Sequence, residues 1–404
     1  MKMKLSTRSK PYIIPEYSLT GDLLSFLTCN LQYRYQNKGT LPPSMPVQLW
    51  FGEFIHGVLE EAFLRWDLNK TSFPWDWKED IRPIENMIDL KLQVRGLYPP
   101  QNHFFTTNIP GREDMEVTEA DHKKLASARA EAAINIWGPH LFPLIDSTEE
   151  LIKGIRDMPN YKENVSRSNY YGINGVVDVI TLFKKDELKK SEQFSLDYFK
   201  ENEIKNYLRE NKEFNENLQK LDADEYEIII DYKGMKRPSI KDNTWNHHKW
   251  QILTYSWLKH KQEDSKPIIC GIIFYLNELV PSYEDLRAIK QDIIKNENDV
   301  DISDEDLEVL MNWDENDEEN YPELSDKFKK DRSIRIITVD DDELDTALEE
   351  FDKVVGDIEE SLIKETNGCK IKEAWKAEAD ERTCKACDFK TFCNNNKIKE
   401  FKVP

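Results

Sequence analysis

Tyr171-Gly172-Ile173-Asn174-Gly175-Val176-Val177-Asp178-Val179-Ile180 and, about fifty residues on, Glu227-Ile228-Ile229-Ile230-Asp231-Tyr232-Lys233 decide the fold. Both are dense in β-branched residues, which favour a pleated, half-buried surface, so both read as strands, the second ending in charge. Working outward, Val47 to Trp66 places Phe51, Phe54, Ile55, Val58, Leu59, Ala62 and Phe63 at helical spacing, and Glu119 to Trp137 is an Ala-rich helix. Downstream, Trp245 to Lys261 reads as a helix, Ile268 to Leu276 as an apolar strand, and Glu284 to Leu310 as a polar helix and acidic loop. Ile334 to Val339 reads as a strand and Asp342 to Lys364 as a last helix. Strands interleaved with helices predict an α/β fold, a mixed central sheet flanked by helices. Residues 184–224, rich in Lys, Glu and Asn with Leu, Phe and Tyr at helical intervals, predict a helical insertion, and the Pro-rich, aromatic stretch 70–118 an irregular segment. Ser18 to Gln36 reads as a capped amphipathic helix with Cys29 near its end. No internal repeat is visible.

The chain has 404 residues, 39% hydrophobic and 33% charged, with ten tryptophans, enough for a sizeable core beneath a polar surface. We read residues 10–400 as one domain. The first seventeen residues hold no apolar stretch of signal-peptide length, and no later run reaches the roughly 18 apolar residues of a membrane span. A cytoplasmic, membrane-free protein is expected, with reduced cysteines. The net charge of −21 argues against a surface that binds nucleic acid everywhere, because phosphate binding relies on Lys and Arg. Much of the acid falls in the region 296–325, read as a solvated acidic loop. The stretch Lys233 to Lys249, with Lys236, Arg237 and Lys241, is basic and allows a local positive groove.

Asp178, Asp231 and Lys233 carry the chemistry. Residues two apart on a strand share a face, so Asp231 and Lys233 share an environment. A carboxylate pair binds a hard divalent cation such as Mg²⁺ or Mn²⁺ through oxygen, and an ammonium can orient an attacking water, which is the chemistry of phosphodiester hydrolysis. His56, on the Val47–Trp66 helix, adds a nitrogen donor that suits Mn²⁺. Each piece alone has a bland reading: an Asp-x-Lys at a strand end is usually a solvated terminus, and a lone helical histidine a boundary residue. Cys384, Cys387 and Cys393 follow a Cys-x2-Cys-x5-Cys spacing tight enough to converge on one metal centre, and Cys29 can supply a fourth thiolate, so that residues 18–36 and 375–396 form a clasp. Cys270 and Cys369 read as a buried small hydrophobe and a loop thiol, and Trp375, Phe389 and Phe392 as packing around the cysteines. His247 and His248 read as polar residues at a helix start.

In order, Leu19 to Arg34 with Cys29, Gly52-x3-His56, Gly175-Val176-Val177-Asp178, Ile229-Ile230-Asp231-Tyr232-Lys233, Gln251-x3-Tyr255 and the cysteine triplet span nearly the whole chain. This series resembles the PD-(D/E)XK nuclease superfamily, and within it the RecB-type branch that carries a four-cysteine iron–sulfur cluster, such as AddB and the CRISPR adaptation nucleases. The resemblance implies a restriction-endonuclease-like sheet and a metal-dependent deoxyribonuclease acting on single-stranded DNA ends. It also implies ligation of Mg²⁺ or Mn²⁺ by His56, Asp178, Asp231 and the Tyr232 backbone carbonyl. Lys233 would act on the nucleophilic water, and Gln251 and Tyr255 would position the lysine or the DNA. Cys29, Cys384, Cys387 and Cys393 would hold a [4Fe–4S] cluster. Zinc is the rival, but zinc sites favour two paired Cys-x2-Cys knuckles and only one pair is present. Family members usually join the two acids by a shorter connection, so the 184–224 insertion is expected to gate the groove or bind a partner, such as a helicase or a defence-complex subunit. No Gly-x4-Gly-Lys-Ser/Thr phosphate loop occurs, so the chain does not power unwinding itself. Two other readings stand beside the nuclease: a catalytically silent module that binds DNA ends or a partner, and a zinc-clasped RNA nuclease.

Overall fold

A computed structural model describes residues 14–39, 47–99, 115, 121–163, 165–185, 202–315, 321–390 and 393. In chain order the elements begin with β1 (Glu16–Ser18), α1 (Leu24–Thr28), α2 (Asn30–Tyr33), α3 (Val47–Asn69), α4 (Arg82–Val94), α5 (Asp121–Leu141), β2 (Ile145–Asp157) and β3 (Tyr170–Lys184). There follow α6 (Glu203–Glu210), α7 (Lys212–Lys220), β4 (Glu225–Lys233), α8 (Asn243–His260), β5 (Ile268–Tyr275), α9 (Tyr283–Ile294), α10 (Asp304–Asn312) and α11 (Asp326–Ser333). The chain closes with β6 (Ile334–Thr338), α12 (Asp341–Thr366), α13 (Ile371–Ala374) and α14 (Glu381–Ala386).

Six strands make one mixed sheet, so the α/β expectation holds. β3 is its longest strand and pairs antiparallel with β2 along one side. On the other side β3 pairs parallel with β1 through Gly172, Ile173 and Asn174, and antiparallel with β4 from Val179 onward. The helix α8 carries the chain from β4 to β5, which runs parallel to β4, and β6 closes the far edge antiparallel to β5. Every residue of β5 is buried, as an apolar run covered on both faces should be.

Helices cover both faces. Trp50, Phe54, Ile55 and Val58 of α3 pack with α4 and α5 against Val179, Ile230 and Phe274 of the sheet, while α8, α12 and the N-terminal segment cover Ile173, Ile229 and Ile273 opposite. Phe54 is fully buried, and truncating it to alanine should cost about 3–5 kcal/mol. A small separate core gathers Tyr283, Leu286, Leu310, Trp313 and Phe328 of α9 to α11. No described helix is long and apolar enough to cross a membrane.

Two segments differ from their sequence reading, one strand was not read at all, and the described part of the 184–224 insertion is helical as expected, in α6 and α7. Within 70–118, Trp77 to Val94 is helical, entered through Asp76, whose side chain accepts from the Lys78 and Glu79 N–H groups, with Pro83 in the first turn of α4. The N-terminal helix breaks at Cys29, which is extended at φ −166° and ψ 112°. Ile145–Asp157, polar in sequence, is the edge strand β2. Of the 184–224 insertion, the described part packs Ile204, Leu208 and Phe214 into the main core beside Phe183 and Tyr226; residues 186–201 lie outside the described residues.

Candidate active site

The β3–β4 ladder parts after Val179↔Ile230, and β1 takes up the same side of β3 only at Asn174. Between these points lies a fork, and the polar side chains named above converge there. Asp178 Oδ2 accepts from the Tyr232 N–H at 2.8 Å, supplying the bond that the ladder no longer makes. The Tyr232 carbonyl in turn accepts from His56 Nε2 at 2.9 Å, and His56 Nδ1 lies 3.6 Å from Asp178 Oδ2. Ile55, Val58 and Leu59 bury α3 on either side of His56, which leaves the histidine at the boundary, facing the fork.

The other half of the fork is a closed polar triangle. Lys233 Nζ lies 2.6 Å from Asp231 Oδ2 and donates to Gln251 Oε1 at 2.8 Å. Gln251 Nε2 donates to Asp231 Oδ1 at 2.9 Å and to the Tyr255 hydroxyl at 3.2 Å. Gln251 and Tyr255, one turn apart on α8, therefore hold the lysine and its carboxylate, and Tyr255 is too buried to reach a DNA strand. Gly175 is what admits this ring: a Cβ there would stand 2.5 Å from the Tyr255 edge. Burial pushes the Asp178 carboxyl up, His56 pulls it down, Asp231 pushes it up and Lys233 pulls it down, with a net rise. The two acids and the lysine thus sense one another.

Glu149 joins the fork without having been legible in the sequence. Thr148 pairs with Val179 and Glu150 with Val177, so β2 sets Glu149 abreast of Asp178. His56, Glu149 and Asp178 each offer a ligand atom within 4.8 Å of the others. Glu149 adopts φ +50°, a left-handed conformation uncommon outside glycine. Burial, then the charges of Asp178 and Glu60, push its carboxyl up to about 7. A cleft of about 490 Å³ opens over these residues, with Lys91 and Arg95 of the α4 end on its far wall.

Cys29, Cys384, Cys387 and Cys393 line one small cavity with Ala377 and Ala379. Their thiols stand wider apart than the His56 set, the one group of three or more such ligand atoms within 4.8 Å among the described residues. Zinc at about 2.3 Å from each sulfur would draw four thiolates to about 3.8 Å from one another. The buried Trp375 packs edge-on against Phe26, and Phe389 lies against Tyr35; Phe392 and residues 394–396 of the clasp lie outside the described residues. The Leu31 N–H donates to the Lys376 carbonyl at 3.2 Å, and Arg34 pairs with Glu365 at 2.5 Å, so residues 31–34 meet residues 365–376 beside the cavity. Burial pushes the Cys29 and Cys387 thiols up. Cys270 is fully buried and its thiol is also pushed up, whereas Cys369 Sγ lies 3.8 Å from Glu373.

Part of the basic stretch is paired with acid. Arg237 is buried and pairs with Asp299 at 2.6 Å, which also takes Arg335 at 2.7 Å, and Lys249 pairs with Glu343. Burial opposes the Asp299 charge, but hydrogen bonds from Arg237 hold its carboxyl well below the ordinary range. Part of the acidic region is thus internal counter-charge, and Asp304 to Asp306 form the first turn of α10, where acids suit the helix N-terminus; residues 316–320 lie outside the described residues. His248 Nδ1 lies 3.0 Å from the Tyr275 hydroxyl, and burial, then Lys233, lower it to about 3, so it is a neutral core histidine. His247 lines a cleft of about 930 Å³ between α8 and α12, rimmed by Asp342, Glu343, Glu350, Glu378 and Asp380. That cleft shares no lining residue with the one over the fork.

No protein-family model matches this chain, and comparison with the curated proteins finds no match.

Proposed function

We propose that this protein is a metal-dependent deoxyribonuclease that hydrolyses phosphodiester bonds of single-stranded DNA at free ends. One observation carries the reading: the fork brings His56, Asp178 and the Tyr232 carbonyl beside the closed Asp231–Lys233–Gln251 triangle. The donors are oxygen and imidazole nitrogen, a set that fits Mg²⁺ or Mn²⁺. His56, Asp178, Asp231 and the Tyr232 carbonyl are the atoms that would hold the cation, as the resemblance to RecB-type nucleases implies. A bound divalent ion supplies Lewis-acid stabilisation of the phosphoryl oxygens and a more acidic water.

The chain's own part is orientation. Lys233 Nζ donates to Gln251 and lies 2.6 Å from Asp231 Oδ2, so the ammonium is held beside the carboxylate, where its remaining N–H groups can hold an attacking water and stabilise the growing phosphoryl charge. Gln251 receives the lysine on its oxygen and gives its N–H groups to Asp231 and Tyr255, which fixes its amide orientation. Lys91 and Arg95 on the cleft wall are placed to meet phosphate.

The four cysteines share one cavity and would hold a [4Fe–4S] cluster, as the resemblance implies, with zinc as the rival. In this reading the cluster joins residues 18–36 to 375–396 and takes no part in hydrolysis. An absorbance band near 400 nm from brown protein would support the cluster, and colourless protein with stoichiometric zinc would exclude it. The nuclease reading is tested by incubating the protein with single-stranded DNA, duplex DNA or RNA in Mn²⁺ or Mg²⁺. Activity equal to wild type in Asp231→Ala and Lys233→Ala sinks it. Wild-type inactivity on all three with retained DNA binding would point to a silent end-binding or partner-binding module.

A further inference from the structure

Resting on the reading of the fork as a divalent-cation site, we propose that Glu149 is a ligand of that cation and that His56 ligates through Nδ1, with the Tyr232 carbonyl serving as the anchor of the histidine. A carbonyl oxygen only accepts hydrogen bonds, so the 2.9 Å contact with His56 Nε2 puts a proton on that nitrogen. In the neutral ring Nδ1 then carries the lone pair, and it lies 3.6 Å from Asp178 Oδ2. Glu149 adds a third ligand atom to the group, each of the three residues offering one within 4.8 Å of the others. Three such atoms repel one another unless positive charge stands among them. Metal-ligating histidines commonly donate their other ring N–H to a backbone carbonyl, which is the role Tyr232 plays here.

Asp231 stays in the set but is already tied to other side chains. Lys233 holds one of its oxygens at 2.6 Å and Gln251 the other at 2.9 Å, whereas the β2–β3 register brings Glu149 directly beside Asp178. The cation set read from the sequence therefore changes by one carboxylate gained and one carbonyl reassigned from ligand to support. The rival arrangement is an imidazolium paired with Asp178, in which a proton on Nδ1 takes the cation's place.

Calorimetric titration of the full chain with MnCl₂, without DNA, separates them. We expect Glu149→Gln to weaken Mn²⁺ binding at least about tenfold, the lower bound set by losses at supporting residues. Glu53→Gln, which removes the same charge from the same cleft but from a residue paired with Arg95 at 2.8 Å, should weaken it less than about threefold. Equal affinity in wild type and Glu149→Gln, or equal losses in both variants, overturns the ligand assignment. A wild type that binds no Mn²⁺ overturns the cation reading of the whole fork, a distinguishable failure. Cadmium NMR of the wild type with isotopically labelled histidine needs no variant. Coupling of the metal to one histidine Nδ1 is expected, and coupling through Nε2, or none, overturns the tautomer.

Discussion

The fork and the cysteine cavity are both places where the chain gathers ligands, yet they are built differently. At the fork, Asp178, Tyr232 and His56 are fixed by bonds among themselves, and Asp231, Lys233 and Gln251 by a closed triangle, all on strands and helices of the main core. At the cysteine cavity, the hydrogen bonds of α14 are local: Thr383 N–H to Asp380, Cys384 N–H to the Asp380 carbonyl and Cys387 N–H to the Cys384 carbonyl. The fork is organised by the fold before anything binds. In the proposed reading, what the thiols bind adds order to this segment beyond these local bonds and the Tyr35–Phe389 contact. Removing a bound ion should therefore leave the fork standing and release the clasp.

The largest effect that tests this contrast is catalytic. Asp231→Ala and Lys233→Ala should each lower hydrolysis of single-stranded DNA by about a thousandfold or more, because the two residues act as a unit, while the melting temperature moves by only a few degrees. The contrast breaks if either variant unfolds the protein. Next comes Cys387→Ala, expected to bleach the protein, expose residues 375–390 to protease and lower activity through loss of structure. Treatment with a chelator that strips only Mg²⁺ or Mn²⁺ should leave both colour and protease pattern unchanged. A colourless, protease-resistant and active Cys387→Ala variant would show that the clasp is held by packing of Phe26, Tyr33 and Trp375 alone.

The same contrast explains what was legible. β3 to β6 and their covering helices announce themselves because each carries a continuous or periodic apolar pattern, and the polar residues of the fork other than Glu149 sit at fixed spacings within those elements. β2 does not announce itself: it is an edge strand whose one deeply buried side chain is Ile152, with Leu151 and Ile155 left exposed among charges. Glu149 was hidden for that reason, since its place beside Asp178 is a cross-strand register and not a spacing along the chain. Trp77 to Val94 was masked by Pro83 and by the prolines and aromatics on either side of it, although Asp76 shortly before Lys78-Glu79-Asp80 was the available helix-start signal. The break at Cys29 has no signature in composition.

A smaller effect probes how rigidly the fork is set. Gly175→Ala forces a methyl against the Tyr255 ring, which must shift along with Gln251, at a cost of about 1–3 kcal/mol. We expect a lower melting temperature and slower turnover together. Unchanged turnover would mean that the Asp231–Lys233–Gln251 triangle tolerates displacement and that the fork is less fixed than its bonds imply. Tyr255→Phe, which removes one hydrogen bond to Gln251, should cost about 1 kcal/mol and slow turnover less than Gly175→Ala does.

The smallest expected effect is a pH signature of the fork without its cation. Glu149 has its carboxyl raised from 4.5 to about 7 by burial, then by Asp178 and Glu60. The folded chain therefore binds this proton more tightly than the unfolded chain does, so the folded state gains below pH 4.5 and loses that advantage as pH rises to about 7. Above that window the wild type without metal carries a cost of roughly 1–2 kcal/mol, the shift being discounted for solvent screening at a half-exposed group. Glu149→Gln carries no such charge. In a chelator it should melt a few degrees higher than wild type at pH 8, with the difference vanishing near pH 4.5. Adding Mn²⁺ at pH 8 should raise the wild type more than the variant and so reverse their order. A difference that stays constant across pH would trace to the strained backbone of Glu149 and not to its charge, and the fork would then owe its geometry to strain relieved elsewhere in β2.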